Sequence, residues 1–327
     1  MPYPLFCRWA QRNLTETAGN AVEQDFYEKL VAIVNEDRVQ RNELLGRHTT
    51  FRIGGPADYF VCAAGEELPH IIALCKSEGM PYFLIGNGSN LLAADAGYRG
   101  TVIKLCQTGV LSFEEGEESL TARVGAGVAL SVFAKEVAAR GGAGFAFAAG
   151  IPGSIGGAIY MNAGAYGGEI ADFISRVQVL TGSGEIVAME KEELKFSYRS
   201  SILQERELYV LSADFCFPKG DIHAERERIE ELAALRRQKQ PLEFPSAGST
   251  FKRPYGYFAG KLIMEAGLSG LRVGGAKVAE KHCGFVVNDK DATAADVAAL
   301  IAKVQAVVWE KHGVRLSPEI RFLGKFD

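Results

Sequence analysis

Hydrophobic positions in the first third of the chain alternate between helical and strand spacing. Residues 66–81 place apolar side chains on one helical face and end near Gly79, which predicts a helix with a glycine stop. Short apolar runs follow at 82–86 and 101–105, and runs of this length are typical of buried strands. The pattern therefore predicts a first unit of α/β character over about residues 23–105.

Strand patterns dominate the next stretch, about residues 106–219. Residues 111–125 form two alternating segments around a turn, and residues 177–189 have the pattern of a hairpin built on Gly-Ser-Gly. A further strand is predicted at 208–217, and one helix at about 129–140. We therefore expect a second unit made mainly of strands.

A strongly charged helical pattern at 223–240 is predicted to begin a third unit, residues 220–317. The last helix of this unit is expected over 294–312, with Thr293 as its N-cap and Gly313 as its stop. One face of that helix carries the apolar residues Val297, Leu300, Ile301, Val304 and Val308.

The two ends of the chain differ from the units between them. Residues 314–324 return to a strand pattern, and the strand at 318–327 is expected to join the first unit. Residues 1–22 are predicted to form a loosely attached N-terminal extension. No low-complexity linker separates the units, so we expect them to pack against one another.

Composition places the chain among ordinary globular proteins and limits its partners. The 327 residues are 47% hydrophobic and 23% charged, and this length commonly divides into two or three domains. A net charge of -4 argues against a general nucleic-acid surface, which needs a basic excess. No apolar run approaches the ~20 residues that span a bilayer, and a signal-peptide core is missing. We expect a cytoplasmic protein with no membrane contact.

The cysteines and histidines do not form the pattern of a metal site. Six cysteines are scattered without a C-x-x-C pair, and most of them sit among apolar residues, so structural thiols are expected. His48, His70, His223 and His312 lack metal-ligand spacing. We therefore predict no metal.

Two glycine-rich segments indicate a long ligand with a charged middle. The loop at 86–90, Gly-Asn-Gly-Ser-Asn, directly follows a predicted buried strand, and such residues let backbone N–H groups turn toward an anion. Alone, this loop fits a plain tight turn equally well. Residues 141–169 contain ten glycines interleaved with Phe and Ile, which is typical of packed backbone rather than of a linker. A dinucleotide fits both segments, because its pyrophosphate needs clustered N–H donors and its rings need apolar walls.

Seven ordered motifs resemble one enzyme family. They are TTFRIGGPADYFV, LIGNGSNLL, GIPGSIGGAIYMNAGAYGGEI, FSYRSS, PSAGSTFKRP, GGAKVAEKHCGFVVN and PEIRFLG, and they extend from about residue 45 to the C-terminus. In this order they resemble the UDP-N-acetylenolpyruvoylglucosamine reductase family. The resemblance implies an α+β fold: an FAD-binding domain of the vanillyl-alcohol-oxidase/p-cresol-methylhydroxylase type, made of two α/β subdomains, and a C-terminal α+β substrate-binding domain. It also implies FAD-mediated, NADPH-dependent reduction of UDP-N-acetylglucosamine enolpyruvate to UDP-N-acetylmuramate for peptidoglycan synthesis.

The resemblance assigns three catalytic residues. Arg199 in SYRSS would hold the substrate carboxylate through its planar fork of donors. Ser249 in AGST would protonate the carbanion that follows hydride delivery. Glu319 in PEIRFLG would hydrogen-bond the developing enolate, which requires a proton on the carboxyl group and hence a raised pKa. Taken singly, the three are typical of an ion-pair arginine, a turn serine and a solvent-facing glutamate, and only the ordered motifs favour catalysis.

The resemblance also implies binding residues. Lys252 and Arg253 would either stabilise the Ser249 alkoxide or bind the UDP diphosphate, and both alternatives stay open. The expected substrate-binding residues are Tyr198, Lys252, Arg253 and His282. The expected cofactor-binding residues are Leu84, Ile85, Gly86, Asn87, Gly88, Ser89, Asn90, Gly150, Ile151, Pro152, Gly153, Ser154, Gly156, Gly157, Asn162, Gly164 and Arg321.

Two sequence features refine this expectation. About fifty residues separate Arg199 from Ser249, with no insertion carrying a tyrosine that could close over the substrate, which resembles the type II subclass. No GGH occurs in the glycine segments, so we expect noncovalent FAD, and the family implies a monomer.

Two alternative functions remain open at this point. One is an FAD-dependent alcohol or sugar oxidase of the same fold that uses O₂ as acceptor. The other is a nucleotide-binding module without redox chemistry.

Overall fold

The computed structural model describes residues 16–106 and 111–326. Its helices are α1 (Glu16–Val34), α2 (Leu68–Ser77), α3 (Leu130–Ala139), α4 (Ile155–Tyr160), α5 (Ile222–Lys239), α6 (Ala259–Glu265) and α7 (Ala294–His312). Its strands are β1 (Val39–Leu44), β2 (Pro56–Ala63), β3 (Tyr82–Ile85), β4 (Leu91–Ala93), β5 (Tyr98–Leu105), β6 (Leu111–Glu115), β7 (Ser119–Gly125), β8 (Gly164–Ala165), β9 (Gly168–Glu169), β10 (Ile174–Thr181), β11 (Ile186–Glu190), β12 (Leu208–Pro218), β13 (Arg272–Val273), β14 (Ala276–Val278), β15 (Val286–Asn288) and β16 (Arg321–Leu323).

The first sheet has four strands in the order β1-β2-β5-β3. Strand β5 pairs in parallel with both β2 and β3, whereas β1 runs antiparallel to β2. Successive residues of the central strand face opposite cores: Ile103 packs in the cluster that contains Ile71 of α2, and Val102 packs with Phe60 and Leu45. Both faces of β5 are covered, which accounts for its apolar run. The carboxyl end of β3 therefore presents the glycine loop at the edge of a rigid sheet.

The second sheet is antiparallel, with five strands in the order β11-β10-β12-β7-β6. An aromatic cluster packs against it. The rings of Phe133, Phe145, Phe215 and Phe217 have centroids 5.1 to 6.0 Å apart. Because Phe145 lies within the second glycine segment, this cluster holds that segment against the sheet.

The C-terminal unit combines the three-stranded sheet β13-β14-β15 with helices α6 and α7. The hydroxyl oxygen of Thr293 accepts a hydrogen bond from the N–H of Asp296 at 3.0 Å, and Gly313 has φ 64° after the last turn. The predicted cap, stop and buried face of α7 are therefore confirmed, since Val297, Leu300, Ile301, Val304 and Val308 are all buried.

Hydrogen bonds and a strand pairing help to join the C-terminal unit to the first unit. The carboxylate of Asp95 accepts the N–H groups of Ala294 at 2.7 Å and Ala295 at 2.9 Å, where α7 begins. Strand β16 pairs in parallel with β4, with Arg321 opposite Leu91. The end of the chain thus returns to the side of the first unit where the glycine loop lies.

The predicted helices at 66–81, 129–140, 223–240 and 294–312 are confirmed as α2, α3, α5 and α7, and the hairpin at 177–189 as β10 and β11. The predicted strand at 314–324 is wrong over most of its length, because only Arg321–Leu323 is a strand. The residues before it meet residues 250–252 through an isolated bridge between Phe251 and Pro318. Two hydrogen bonds close it: the N–H of Lys252 donates to the carbonyl oxygen of Ser317, and the N–H of Glu319 to that of Thr250, both at 2.8 Å.

Helix α5 packs differently from the expectation that it begins the third unit. Its buried Leu232 belongs to the apolar cluster of the first two sheets, and the helix lies against residues 146–150 of the second glycine segment. The divisions at 23–105, 106–219 and 220–317 stay predictions. Residues 1–15 of the expected extension lie outside the described residues, and residues 16–22 form the start of α1.

Within residues 16–106 and 111–326, no helix is both long and apolar enough to cross a bilayer.

Candidate active site

A cavity of about 970 Å³ lies between three parts of the chain. The glycine loop at 86–90 forms one wall, residues 151–154 of the second glycine segment form another, and residues 242–249 form a third. Small-molecule sites usually have volumes of about 300–1,000 Å³, so this cavity suits a large ligand.

The glycine loop turns its backbone toward this cavity. Gly88 has φ +61°, and a Cβ atom there would lie 2.1 Å from the carbonyl oxygen of His48, so the position requires glycine. A Cβ atom at Gly86 would lie 2.3 Å from the hydroxyl oxygen of Ser154. The backbone N–H groups of residues 86–89 donate to no acceptor within the described part of the chain. Free donors grouped in this way suit an anion such as a phosphate.

The two glycine segments contact each other at the cavity wall. The side-chain amide of Asn87 donates to the carbonyl oxygen of Pro152 at 3.2 Å. The hydroxyl oxygen of Ser154 accepts the N–H of Gly157 at 3.3 Å, where α4 begins. The sequence prediction that both segments serve one ligand is consistent with this contact.

Two of the expected cofactor-binding residues face away from the cavity. A Cβ atom at Gly150 would lie 2.6 Å from Nη1 of Arg236, so this glycine makes room for α5. Asn162 is fully buried, and its side chain bonds the carbonyl oxygen of Ser197 at 3.1 Å and the N–H of Ala171 at 3.0 Å. The other expected cofactor-binding residues, Leu84, Ile85, Gly86, Asn87, Gly88, Ser89, Asn90, Ile151, Pro152, Gly153, Ser154, Gly156, Gly157, Gly164 and Arg321, all line the cavity.

A second cavity of about 440 Å³ adjoins the first. Tyr198, Arg253 and His282 line it, whereas Lys252 lines neither cavity. The guanidinium carbon of Arg253 lies 3.8 Å from the ring centroid of Phe258, and the N–H of Arg253 donates to Oη of Tyr198 at 3.3 Å. An aromatic ring beside cations suits a nucleotide, which carries both a flat base and phosphates.

His282 lies in the second cavity as a neutral imidazole. Burial lowers its pKa, and Nδ1 accepts the N–H of Gly284 at 3.1 Å. The proton is therefore on Nε2, which leaves His282 able to donate a hydrogen bond but without a charge for a phosphate.

The two cavities meet at Arg199, Ser249 and Glu319, which line both of them. Nε of Arg199 lies 3.1 Å from Oε1 of Glu319, and its terminal nitrogens donate to the carbonyl oxygens of Asn162 at 3.4 Å and Gly164 at 2.5 Å. The guanidinium is therefore held in one orientation at the junction.

The hydroxyl of Ser249 is exposed to the cavities, and its neighbours are fixed. Gly248 has φ +75°, which turns the chain into the site. Thr250 is fully buried: its hydroxyl oxygen accepts the N–H of Val286 at 2.9 Å, and its carbonyl oxygen accepts the N–H of Glu319 at 2.8 Å. Within the described residues, Ser249 makes no side-chain hydrogen bond to Lys252 or Arg253. Its proton is free for a ligand.

Burial raises the pKa of Glu319, while the neighbouring Arg199 and Lys252 act in the opposite direction. The ion pair with Arg199 favours the charged carboxylate, yet desolvation is the larger effect, and the side chain is only 14% exposed. The side-chain amide of Asn90 donates to the carbonyl oxygen of Glu319 at 3.1 Å, so a residue of the glycine loop also positions this glutamate.

Several residues at the site were not identified from the sequence. Gln204 lines the larger cavity and donates to the carbonyl oxygen of Arg199, and Arg236 lines it from α5. Lys261 and Lys281 line the smaller cavity. A charged helix and scattered lysines carry no signal of their own, so only the fold could bring these residues into the site.

Comparisons with known proteins agree along the chain. A family model described as an FAD binding domain matches residues 56–190, and one described as the C-terminal domain of UDP-N-acetylenolpyruvoylglucosamine reductase matches residues 240–323. The predicted α+β fold class, with an FAD-binding domain followed by a C-terminal domain, is thereby confirmed.

The chain is also similar to whole proteins. It is 54% identical over 300 residues to a UDP-N-acetylenolpyruvoylglucosamine reductase of Lachnoclostridium phytofermentans, covering 91% of this chain and 97% of that protein. It is 45% identical over 303 residues to that of Clostridioides difficile, covering 92% and 99%. A solved structure of the reductase from Thermus caldophilus is similar with a TM-score of 0.74 and 35% identity, covering 88% of this chain and 99% of the other.

Proposed function

Since the chain belongs to the UDP-N-acetylenolpyruvoylglucosamine reductase family, we propose that it reduces UDP-N-acetylglucosamine enolpyruvate to UDP-N-acetylmuramate with NADPH. This reaction supplies the muramate precursor of peptidoglycan. The alternative of an oxidase using O₂ is not favoured, because the relatives similar over nine tenths of the chain are named as this reductase.

FAD fits the larger cavity. The free N–H groups of residues 86–89 supply donors for a pyrophosphate, and Arg321 adds a positive charge on the same cavity wall. When bound there, FAD would supply two-electron redox chemistry between NADPH and the enolpyruvyl group. The glycine segments contain no GGH, and we propose that the cofactor is held noncovalently.

Arg199 is proposed to bind the carboxylate of the enolpyruvyl group. Its Nη atoms and Nε are already oriented by Glu319, Asn162 and Gly164, so binding the carboxylate requires little further ordering. As hydride arrives at the terminal carbon, electron density moves to the neighbouring carbon and its carboxylate, where the guanidinium stabilises it.

Ser249 is proposed to supply the proton. Its hydroxyl proton moves to the carbon that carries the carboxylate, and the serine alkoxide then takes a proton from water. Glu319, in its protonated form, donates a hydrogen bond to the developing enolate oxygen, for which its raised pKa prepares it. The charge of Lys252 partly opposes the effect of burial on the pKa of Glu319. The assignment of Lys252 to substrate binding stays a proposal.

The smaller cavity is proposed to hold the UDP part of the substrate, with Tyr198, Arg253 and His282 around it. The absence of a tyrosine-bearing insertion between Arg199 and Ser249 supports the type II subclass. We further propose a cytoplasmic monomer.

The observation that carries this proposal is that Arg199, Ser249 and Glu319 lie together at the junction of the two cavities. The test is an anaerobic titration of the pure protein with NADPH and then with the enolpyruvyl sugar nucleotide, monitored by visible absorption. We expect bound FAD whose absorbance NADPH bleaches and the enolpyruvyl sugar nucleotide restores. A colourless protein that takes up no FAD, or absorbance that returns only with O₂, would contradict the proposal.

A further inference from the structure

Gln204 contacts the backbone of Arg199, and no role in the reaction follows for it from the family resemblance. It ends the short 3₁₀ helix Ile202–Gln204, and its side chain points back along the chain. Its amide nitrogen donates to the carbonyl oxygen of Arg199 at 3.0 Å and to that of Tyr160 at 2.8 Å. Both N–H groups of the amide are therefore used to hold main chain next to the junction of the cavities.

Arg199 needs such support because its backbone is strained. The N–H and C=O groups of Ser197 and Ser200 bond each other at 3.1 Å, so Tyr198 and Arg199 are the central residues of a tight turn. Arg199 has φ +54°, in the left-handed region that favours glycine or asparagine at this turn position. A non-glycine residue in this conformation is strained and persists only where its surroundings fix it.

The turn geometry aims the guanidinium. If Arg199 relaxed to negative φ, its Cα–Cβ bond would rotate and its Nη atoms would leave the carbonyl oxygens of Asn162 and Gly164. Displacing a carboxylate-binding group by about 1 Å slows the reaction on the order of 100-fold. The hydrogen bond from Gln204 acts on the carbonyl of the strained residue itself, so it opposes this relaxation.

We infer that Gln204 is a positioning residue for Arg199: it fixes the left-handed backbone that directs the guanidinium toward the substrate carboxylate. This inference rests on the proposed function, since it assigns to Arg199 the enolpyruvyl carboxylate. Gln204 lines the larger cavity as well. Its effect is nevertheless on reduction of the substrate rather than on binding of FAD.

Ser201 provides a matched control. Its hydroxyl donates to the same carbonyl oxygen of Tyr160 at 2.8 Å, and it is 1% exposed, but it has no bond to the Arg199 carbonyl. Ser201→Ala therefore removes one of two hydrogen bonds to the Tyr160 carbonyl oxygen and leaves the hydrogen bond to the Arg199 carbonyl oxygen in place. Gln204→Met keeps the length of the side chain and removes both N–H donors.

The experiment measures the two half-reactions separately, under anaerobic conditions, in the FAD-loaded variants. We expect Gln204→Met to keep the FAD spectrum and the rate of reduction by NADPH, and to slow oxidation by the enolpyruvyl substrate about 10-fold to 100-fold. Ser201→Ala is expected to keep both rates within about twofold. Gln204→Glu, which replaces the donor by an acceptor, is expected to behave as Gln204→Met does, and it serves the same test if the methionine variant does not fold.

An Arg199→Ala background separates positioning from a general structural role. If Gln204 acts through Arg199, adding Gln204→Met to Arg199→Ala slows the reaction no further. Full additivity, or a Gln204→Met protein with the wild-type rate of oxidation by substrate, would overturn the inference. A wild-type protein that does not reduce the enolpyruvyl substrate at all would instead contradict the proposed function.

Discussion

Glu319 shows how a single residue combines opposing influences at the site. Burial favours its neutral form, and the adjacent Arg199 favours its charged form. A substrate carboxylate bound to Arg199 would neutralise part of that guanidinium charge and place a second negative charge nearby. Both changes raise the pKa of Glu319 further, so we expect substrate binding to favour the protonated carboxyl group.

The pH profile of Glu319→Gln tests this protonation state. Because the pKa of Glu319 is raised, the proton is present at low pH and is lost as pH rises through that pKa, so the wild-type rate of substrate reduction should fall on the alkaline side. Glutamine keeps an N–H donor at every pH, and the variant should lose this dependence, with a plateau about tenfold lower.

The measurement is the rate at which substrate oxidises the NADPH-reduced enzyme, from about pH 5 to about pH 9. This range covers the pKa values of carboxyl groups raised by burial. A Glu319→Gln protein with the wild-type rate and pH profile would rule out a protonated Glu319.

Among single residues, the sequence predicts the charged groups of the site better than the hydrogen bonds that hold those groups in position. The motif order identifies Arg199 and Glu319 as site residues, and the structure places the two 3.1 Å apart. The contact of Asn90 with the Glu319 carbonyl joins residues 229 positions apart in the chain, and no local pattern reports it. Asn162 was expected to bind the cofactor, yet its side-chain amide forms hydrogen bonds inside the protein, to the carbonyl oxygen of Ser197 and from the N–H of Ala171.

At the scale of elements, the start of α7 is stabilised from two directions. The hydroxyl of the N-cap residue Thr293 accepts the N–H of Asp296, while Asp95 of the first unit accepts the N–H groups of Ala294 and Ala295. A carboxylate at this end of a helix also interacts favourably with the helix dipole. The Thr293 cap is readable from the sequence, but the Asp95 contact spans 199 positions and depends on how the units pack.

Replacing Asp95 should loosen the C-terminal unit. Asp95→Ala leaves two N–H groups of α7 without their acceptor, and we expect a loss of about 1–2 kcal/mol in the free energy of unfolding. Trp309 lies in α7 and Trp9 is the other tryptophan of the sequence, so urea unfolding followed by tryptophan fluorescence in a Trp9→Phe background reports on this helix.

The matched control for Asp95 is Asp58→Ala, which removes an ion pair with Arg99, whose side chain is 78% exposed. Exposed pairs contribute about 0–1 kcal/mol, so this variant should stay close to wild type. Equal stability of the Asp95→Ala and Asp58→Ala proteins would show that Asp95 does not cap the helix.

At the scale of the whole molecule, the site exists only where separate parts of the chain meet. Periodicity predicts most helices and the two hairpins, because these depend on local spacing. It does not predict that α5 packs on the second glycine segment, since the charged sequence of α5 has few apolar positions and only Leu232 of them is buried. The two cavities, and the junction between them, likewise follow from packing and not from any single motif.

We propose that the junction of the two cavities places the Ser249 hydroxyl where the substrate carbon needs a proton. The most direct measurement is anaerobic rapid mixing of Ser249→Ala with NADPH and then with the enolpyruvyl substrate, beside a Ser317→Ala control whose serine lies next to the site but lines neither cavity. We expect NADPH to reduce Ser249→Ala at the wild-type rate and the substrate to oxidise it about 10²- to 10⁴-fold more slowly, while Ser317→Ala matches wild type in both steps. Oxidation of Ser249→Ala at the wild-type rate, or equal slowing of both steps, would contradict it.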